Sequence, residues 1–132
     1  VIEHLWDLRG FLEQTRHVAT WTCLSTPNRL TFSPGLGRGE KPTSPFHVEE
    51  FDADQLQELV QSAGFTDVAL FGVRHGHRLA AYPDLIASQI DAALSGRWPA
   101  DLERFVAGVR TDDFLITDTD LDTSLDLVVV AS

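Results

Sequence analysis

The sequence predicts an α/β fold, a β-sheet with helices laid on its faces. Three observations lead there. Short apolar runs rich in β-branched residues, such as LDLVVVA near the end, alternate with stretches whose apolar residues recur every three or four positions. The elements follow in the order strand, helix, strand, long loop, helix, strand, helices, strand, which is the alternation of a sheet covered by helices. The chain has 132 residues, the length of one domain, yet it opens on VIEH, two apolar residues running into a polar pair, as a buried strand does where it ends. The expectation is a partial domain over residues 1–132, the back part of a larger sheet.

Taken in order, Val1-Ile2 reads as the stub of a strand. Phe11 to Val18 reads as a helix, with Leu8, Phe11 and Leu12 on one face. Trp21 to Leu24 is a buried strand, closed by the turn residues Ser25-Thr26-Pro27-Asn28. Arg29 to Phe46 carries Gly and Pro punctuation without a period and reads as a long loop, a length that is usually functional or disordered. A helix follows, with Asp52 as N-cap and Gln55 completing a capping box. Its inward stripe is Leu56, Leu59, Val60 and Ala63, and Gly64 is suited to the left-handed closing position. Phe65 to Val73 reads as a strand and Tyr82 to Leu94 as a helix ended by Gly96. Pro99 opens a further helix over 100–109, and Ser124 to Ala131 is the last strand.

Composition removes several classes of function. Twenty acidic against ten basic residues give a net charge of −10, which argues against a nucleic-acid binder, since phosphate contacts need clustered Lys and Arg. Much of the acid lies in TDDFLITDTDLDTSLD, read as a solvated loop. It lacks the turn glycine and closing Glu of an EF-hand. The single Cys23 excludes an internal disulfide and fits a reducing, cytoplasmic setting. Its apolar surroundings predict a buried, inert thiol. No run approaches the ~18 apolar residues of a membrane span, so no membrane partner is expected.

The string strand–Glu-His-Leu–helix, then strand–STPNRLTFSPG, then PFHVEEF, a helix, AGF and a strand ending in GVRHG resembles the second half of class I S-adenosylmethionine-dependent methyltransferases. The likeness is greatest to the bacterial group of ubiquinone-type O-methyltransferases. It implies a partial Rossmann-like sheet. VIEHLWD would be the end of the fourth strand and WTCLSTPN the fifth, with FTDVALFGVR and SLDLVVVAS the sixth and seventh in an antiparallel edge hairpin. The family's glycine-rich loop and ribose-binding acidic residue have no counterpart here and would lie upstream of Val1. Gly35 to Gly39 does not replace that loop, because no strand precedes it and no helix follows. The family's turn between helix and fifth strand is also missing: RHVATWTC runs straight through, so either the helix ends early, near Arg16, or a local deletion strains the connection.

The resemblance implies methyl transfer from S-adenosylmethionine to an unidentified acceptor. The cofactor activates the methyl group, and the protein supplies alignment and a route for the acceptor's proton. Glu3 and His4, at a strand's carboxyl end, are the candidate catalytic pair, and with Trp6 the candidate cofactor contacts. Asn28, Phe32, His47 and His75 are candidate substrate contacts. Some relatives hold a metal on a Glu-His pair after the fourth strand, so Glu3, His4 and His47 are candidate ligands of a divalent metal. Each has a plain structural alternative. Glu3 caps a helix, His4 is a hydrogen-bonding residue, His47 caps the helix at Asp52, Asn28 closes an Asn-turn, and Trp6 and Phe32 belong to the core. His75 and His77 are two ligands too few for structural zinc. Alone, the chain is expected to bind cofactor weakly and to need an N-terminal half as partner. The alternative is a non-catalytic α/β interaction module, a dimer or a partner subunit, that associates through its exposed sheet edge.

Overall fold

The computed structural model describes all 132 residues, except for the side chains of Ile90 and Leu94. The fold is α/β, a four-stranded sheet flanked by helices. The chain forms two compact units. The first comprises Val1–Arg74 with Ile116–Ser132, the second His75–Leu115.

In the first unit, Ile2–His4 form a 3-10 turn, followed by α1 (Leu8–Val18), β1 (Thr22–Pro27), the short α2 (Arg29–Phe32), α3 (Ala53–Ser62), most of β2 (Val68–His75) and, after the second unit, the end of β3 (Phe114–Thr117) and β4 (Asp126–Ala131). The strand order is β1-β4-β2-β3. β4 is antiparallel to both neighbours, with Thr22 and Val68 facing Ala131 from either side. β1 and β2 therefore run the same way with the last strand between them. This central position explains the β-branched composition of β4: Leu127, Val129 and Ala131 are buried on one face, the period-2 signature of a strand packed against a core.

That core gathers Ile2, Leu8 and Leu12 with Phe51, Leu56, Val60, Ala63, Phe65 and the inner face of β4. α3 owes its position to the expected features. Asp52 accepts from the Gln55 amide at 2.9 Å while the Gln55 side chain accepts from the Asp52 amide at 3.1 Å, and Gly64 closes the helix with φ of +95°. α1 begins three residues earlier than its periodicity suggests, because Asp7 caps it through the Gly10 amide at 2.9 Å. It runs to Val18, past Arg16, and reaches β1 through only Ala19, Thr20 and Trp21.

Several expectations need correction. Val1-Ile2 is not a strand. Amide bonds from His4 to the Val1 carbonyl (3.2 Å) and from Leu5 to the Ile2 carbonyl (3.1 Å) wind it into a 3-10 turn, and Ile2 reaches the core from that turn. The fourth strand of the sheet is instead β3, drawn from within the acid-rich run. The second strand continues to Pro27, and Cys23 is exposed: with Thr22 and Thr26 turned inward, alternation puts Cys23 and Ser25 on the outer side. Phe65 packs in the core ahead of β2 rather than within it, and the Thr66 and Asp67 amides bond the Ser132 carbonyl at 3.0 and 3.3 Å.

The second unit holds α4 (His77–Ala80), α5 (Pro83–Ser95) and α6 (Ala100–Ala107). Proline at the first position of α5 and Gly96 in the left-handed conformation at its end bound that helix. Leu79, Ala92 and Leu102 are buried, and the Tyr82 and Phe105 rings meet edge-on with centroids 5.5 Å apart. Arg78 grips the Asp113 carboxylate with Nε and Nη2, and the Arg110 amide adds a bond at 2.7 Å; the guanidinium foremost holds the Asp113 carboxyl down at about 2.

Candidate functional site

Glu3, His4 and His47 converge although 43 positions separate the two histidines in sequence: each offers a ligand atom, and these atoms all lie within 4.8 Å of one another. Backbone contacts account for the convergence. The Glu3 carbonyl accepts from the Val48 amide at 2.6 Å and from the Glu49 amide at 3.4 Å, and His4 Nδ1 lies 2.8 Å from the Phe46 carbonyl. The segment Phe46–Glu49 is thus fastened directly onto the 3-10 turn. The two imidazole rings stand edge to face, with centroids 5.0 Å apart.

The ring chemistry follows from those partners. A carbonyl only accepts, so His4 Nδ1 carries a hydrogen, and Nε2, 3.3 Å from Glu3 Oε1, is the nitrogen a neutral ring would offer as a ligand. Glu3 is buried. Burial alone would push its carboxyl up. The bonds from the Val1 amino group at 2.8 and 2.9 Å and from its own amide, with the charges of Val1 and His4, outweigh that and hold it below the usual range. Thr26 Oγ1 approaches the same carboxylate at 3.3 Å. One carboxylate and two imidazoles, with His4 half exposed, form a donor set that fits a first-row divalent metal with positions left open.

Of the other candidates, Phe32 joins this group, its ring 5.3 Å from that of His47 and partly open to solvent. Trp6 does not: it is 90% exposed and lies outside the buried core. Asn28 is fully buried. Its amide nitrogen donates to the Leu121, Asp122 and Ser124 carbonyls (3.0, 3.2 and 2.9 Å), and its oxygen accepts from the Leu30 amide, which caps α2. No face of it is left for a substrate. His75 lies in the second unit with its ring 6.0 Å from Phe114.

Two residues escaped the sequence reading. Arg29 is buried where a loop was expected. It donates to Gln55 Oε1 at 3.1 and 3.0 Å, to Asp52 and to the Leu36 carbonyl, so it ties the start of the long connection to the first turn of α3. Glu50 is 2% exposed, and its Oε1 lies 2.5 Å from His47 Nδ1. The H-x-x-E spacing was present in PFHVEEF, but nothing in it separates a buried Glu50 from its exposed neighbour Glu49. A separate cavity of about 260 Å3 is lined by Arg38, Glu49, Phe51, Gln55, Glu58, Leu59 and Ser62, none of them in the Glu3–His4–His47 cluster.

No protein-family model matches the chain. Among curated proteins it is 43% identical, over 144 aligned positions, to a probable S-adenosylmethionine-dependent methyltransferase of Mycobacterium tuberculosis strain CDC 1551 and equally to one of strain H37Rv; each match takes in 99% of this chain and 52% of the relative. A probable S-adenosylmethionine-dependent methyltransferase of Mycolicibacterium smegmatis is 41% identical over 143 positions, 99% of this chain and 54% of its own length. The similarity is to S-adenosylmethionine-dependent methyltransferases. It does not single out the ubiquinone-type group. The chain spans about half the length of the curated relatives it matches. Among the described residues no helix is long and apolar enough to cross a membrane.

Proposed function

We propose that this chain is the acceptor-side part of an S-adenosylmethionine-dependent methyltransferase and that Glu3, His4 and His47 hold a divalent cation there. The observation that carries the proposal is the convergence of one carboxylate and two imidazoles from segments 43 positions apart. The relatives supply the reaction class, since all three bear the methyltransferase name and match almost the whole of this chain.

S-adenosylmethionine does not fit the residues at hand. Trp6 extends into solvent, and the sequence has no strand followed by a glycine-rich loop and helix. We place the cofactor site in the portion of the relatives' length that this chain does not span. A bound divalent cation would supply Lewis-acid polarisation of an acceptor heteroatom. The chain's own residues do the rest. His4 and His47 keep Nδ1 protonated and offer Nε2, Glu3 contributes negative charge, and the Phe32 ring screens one side of His47 from water.

Two titrations of the isolated chain test this reading. Cobalt(II) followed by absorption spectroscopy is expected to bind one-to-one, and binding is expected to disappear in His47→Ala and in His4→Ala. Equilibrium dialysis against S-adenosylmethionine is expected to show no saturable binding in the micromolar range. Cobalt binding that ignores both histidines would remove the metal site, and micromolar cofactor binding would remove the division of labour.

A second reading rests on the edge of β1. Among the described residues no strand pairs with its outer side, and Trp21 and Val18 lie exposed beside it. Such an edge suits either a complementing N-terminal half or a second copy of the chain. Light scattering on the purified chain separates the two, since a stable dimer favours the non-catalytic interaction module.

A further inference from the structure

We propose that Glu50 is a positioning residue for His47: its buried carboxylate holds the Nδ1–H of the imidazole and so commits the Nε2 lone pair to the cluster with Glu3 and His4. The inference rests on the reading of that cluster as a cation site.

The carboxylate is unusual for its place. Glu50 sits next to an exposed glutamate, yet its own side chain is 1% exposed, with that of His47 at 10%. Burying a carboxylate is expensive unless it is fully bonded, and Oε2 of Glu50 has no hydrogen-bond partner while Oε1 contacts only His47 Nδ1. The usual local uses of such a residue are filled by others. Asp52 caps α3, Gln55 completes the capping box, and Arg29 pairs with Asp52 and Gln55. What remains is the imidazole three residues upstream.

The geometry then closes around His47 from three sides. Its backbone is fixed by the bonds from His4 Nδ1 to the Phe46 carbonyl and from the Val48 amide to the Glu3 carbonyl. One ring face is covered by Phe32. The remaining freedom is rotation of the ring and choice of tautomer, and the Glu50 contact at 2.5 Å sets both. A carboxylate accepts only, so the hydrogen sits on Nδ1 and Nε2 is the only ring atom free to act as a ligand. Outer groups of this kind, buried and accepting a hydrogen bond from a metal-binding imidazole, typically change metal affinity by ~10- to 100-fold when removed.

Three measurements on the chain test the assignment. Long-range proton–nitrogen NMR of the native chain without metal is expected to show His47 as the Nδ1–H tautomer; an Nε2–H tautomer overturns the proposal without any variant. Glu50→Gln keeps the shape but can also donate to Nδ1, so it is expected to shift His47 toward the Nε2–H form and weaken cobalt(II) binding by about 10- to 100-fold. The exposed Glu49→Gln is expected to change neither. A purely structural role would move the urea midpoint of Glu50→Gln and leave the tautomer and cobalt affinity as they were, which also overturns the proposal. Should the native chain bind no cobalt, the cation site falls, while the tautomer measurement still decides the role of Glu50.

Discussion

The isosteric change Asn28→Asp separates a structural amide from a substrate contact. Asn28 is fully buried and donates to three carbonyls, the strongest at 2.9 and 3.0 Å, while its oxygen accepts from the Leu30 amide at 3.1 Å. Aspartate preserves the acceptor and the volume, so no cavity forms. It removes the two N–H groups that serve those three carbonyls, at a net cost of roughly 0.5–1.5 kcal/mol per N–H, or about 1–3 kcal/mol together. At neutral pH it also places a carboxylate against carbonyl oxygens, which raises the new group's folded-state pKa above the ~3.9 of an unfolded aspartate; each unit of separation adds about 1.4 kcal/mol. The expected total is about 3–5 kcal/mol near neutrality. The sign of the pH dependence is fixed. The folded variant binds its proton more tightly than the unfolded chain, so the penalty is largest above the folded pKa and fades as pH falls toward ~3.9. Urea unfolding followed by far-UV circular dichroism, near neutrality and at about pH 5, reads both quantities. A variant within about 1 kcal/mol of the native chain at both values refutes the structural account and reopens Asn28 as a substrate contact.

Two further outcomes follow from particular contacts. The Asp113 carboxyl, held at about 2 chiefly by the Arg78 guanidinium, contributes stability that is present above the ordinary carboxylate value and lost as pH falls through about 2; carbon-detected NMR titration is expected to show this, and Arg78→Gln is expected to raise Asp113 toward the usual range. Gly64→Ala is expected to cost about 1–2 kcal/mol in a thermal melt, because φ of +95° is strained for alanine and the new methyl would sit 3.1 Å from the Arg16 guanidinium.

The legible parts of the sequence were those where several local signals agreed. α3 had a cap, a box, a stripe and a closing glycine, and every one is present in the structure. β4 had a run of three valines, Val128 to Val130, and the structure adds a burial period of two. The opening dipeptide had neither period nor cap, and an apolar pair is equally at home in a strand or in a buried 3-10 turn. β3 was hidden because Phe114–Thr117 sits among aspartates that dominate any average over the window. Cys23 was misplaced because WTCL was read as a uniform run, whereas β1 alternates. As for the site, the grouping of Glu3, His4 and His47 came from the resemblance, and the fold brings the three together. Glu50 and Arg29 stayed invisible, since burial of a charged residue is decided by partners distant in sequence.

The central place of β4 bears on how the chain is made. Every other element precedes this strand in the sequence, yet it is the one that joins β1 to β2. While the ribosome is still releasing residues 126–131, the two strands have no common neighbour and the Leu56–Val60 side of α3 has no floor to rest on. Assembly of the first unit therefore waits for β4. Until it occurs the nascent polypeptide presents open hydrophobic strands, the state in which a chaperone earns its keep.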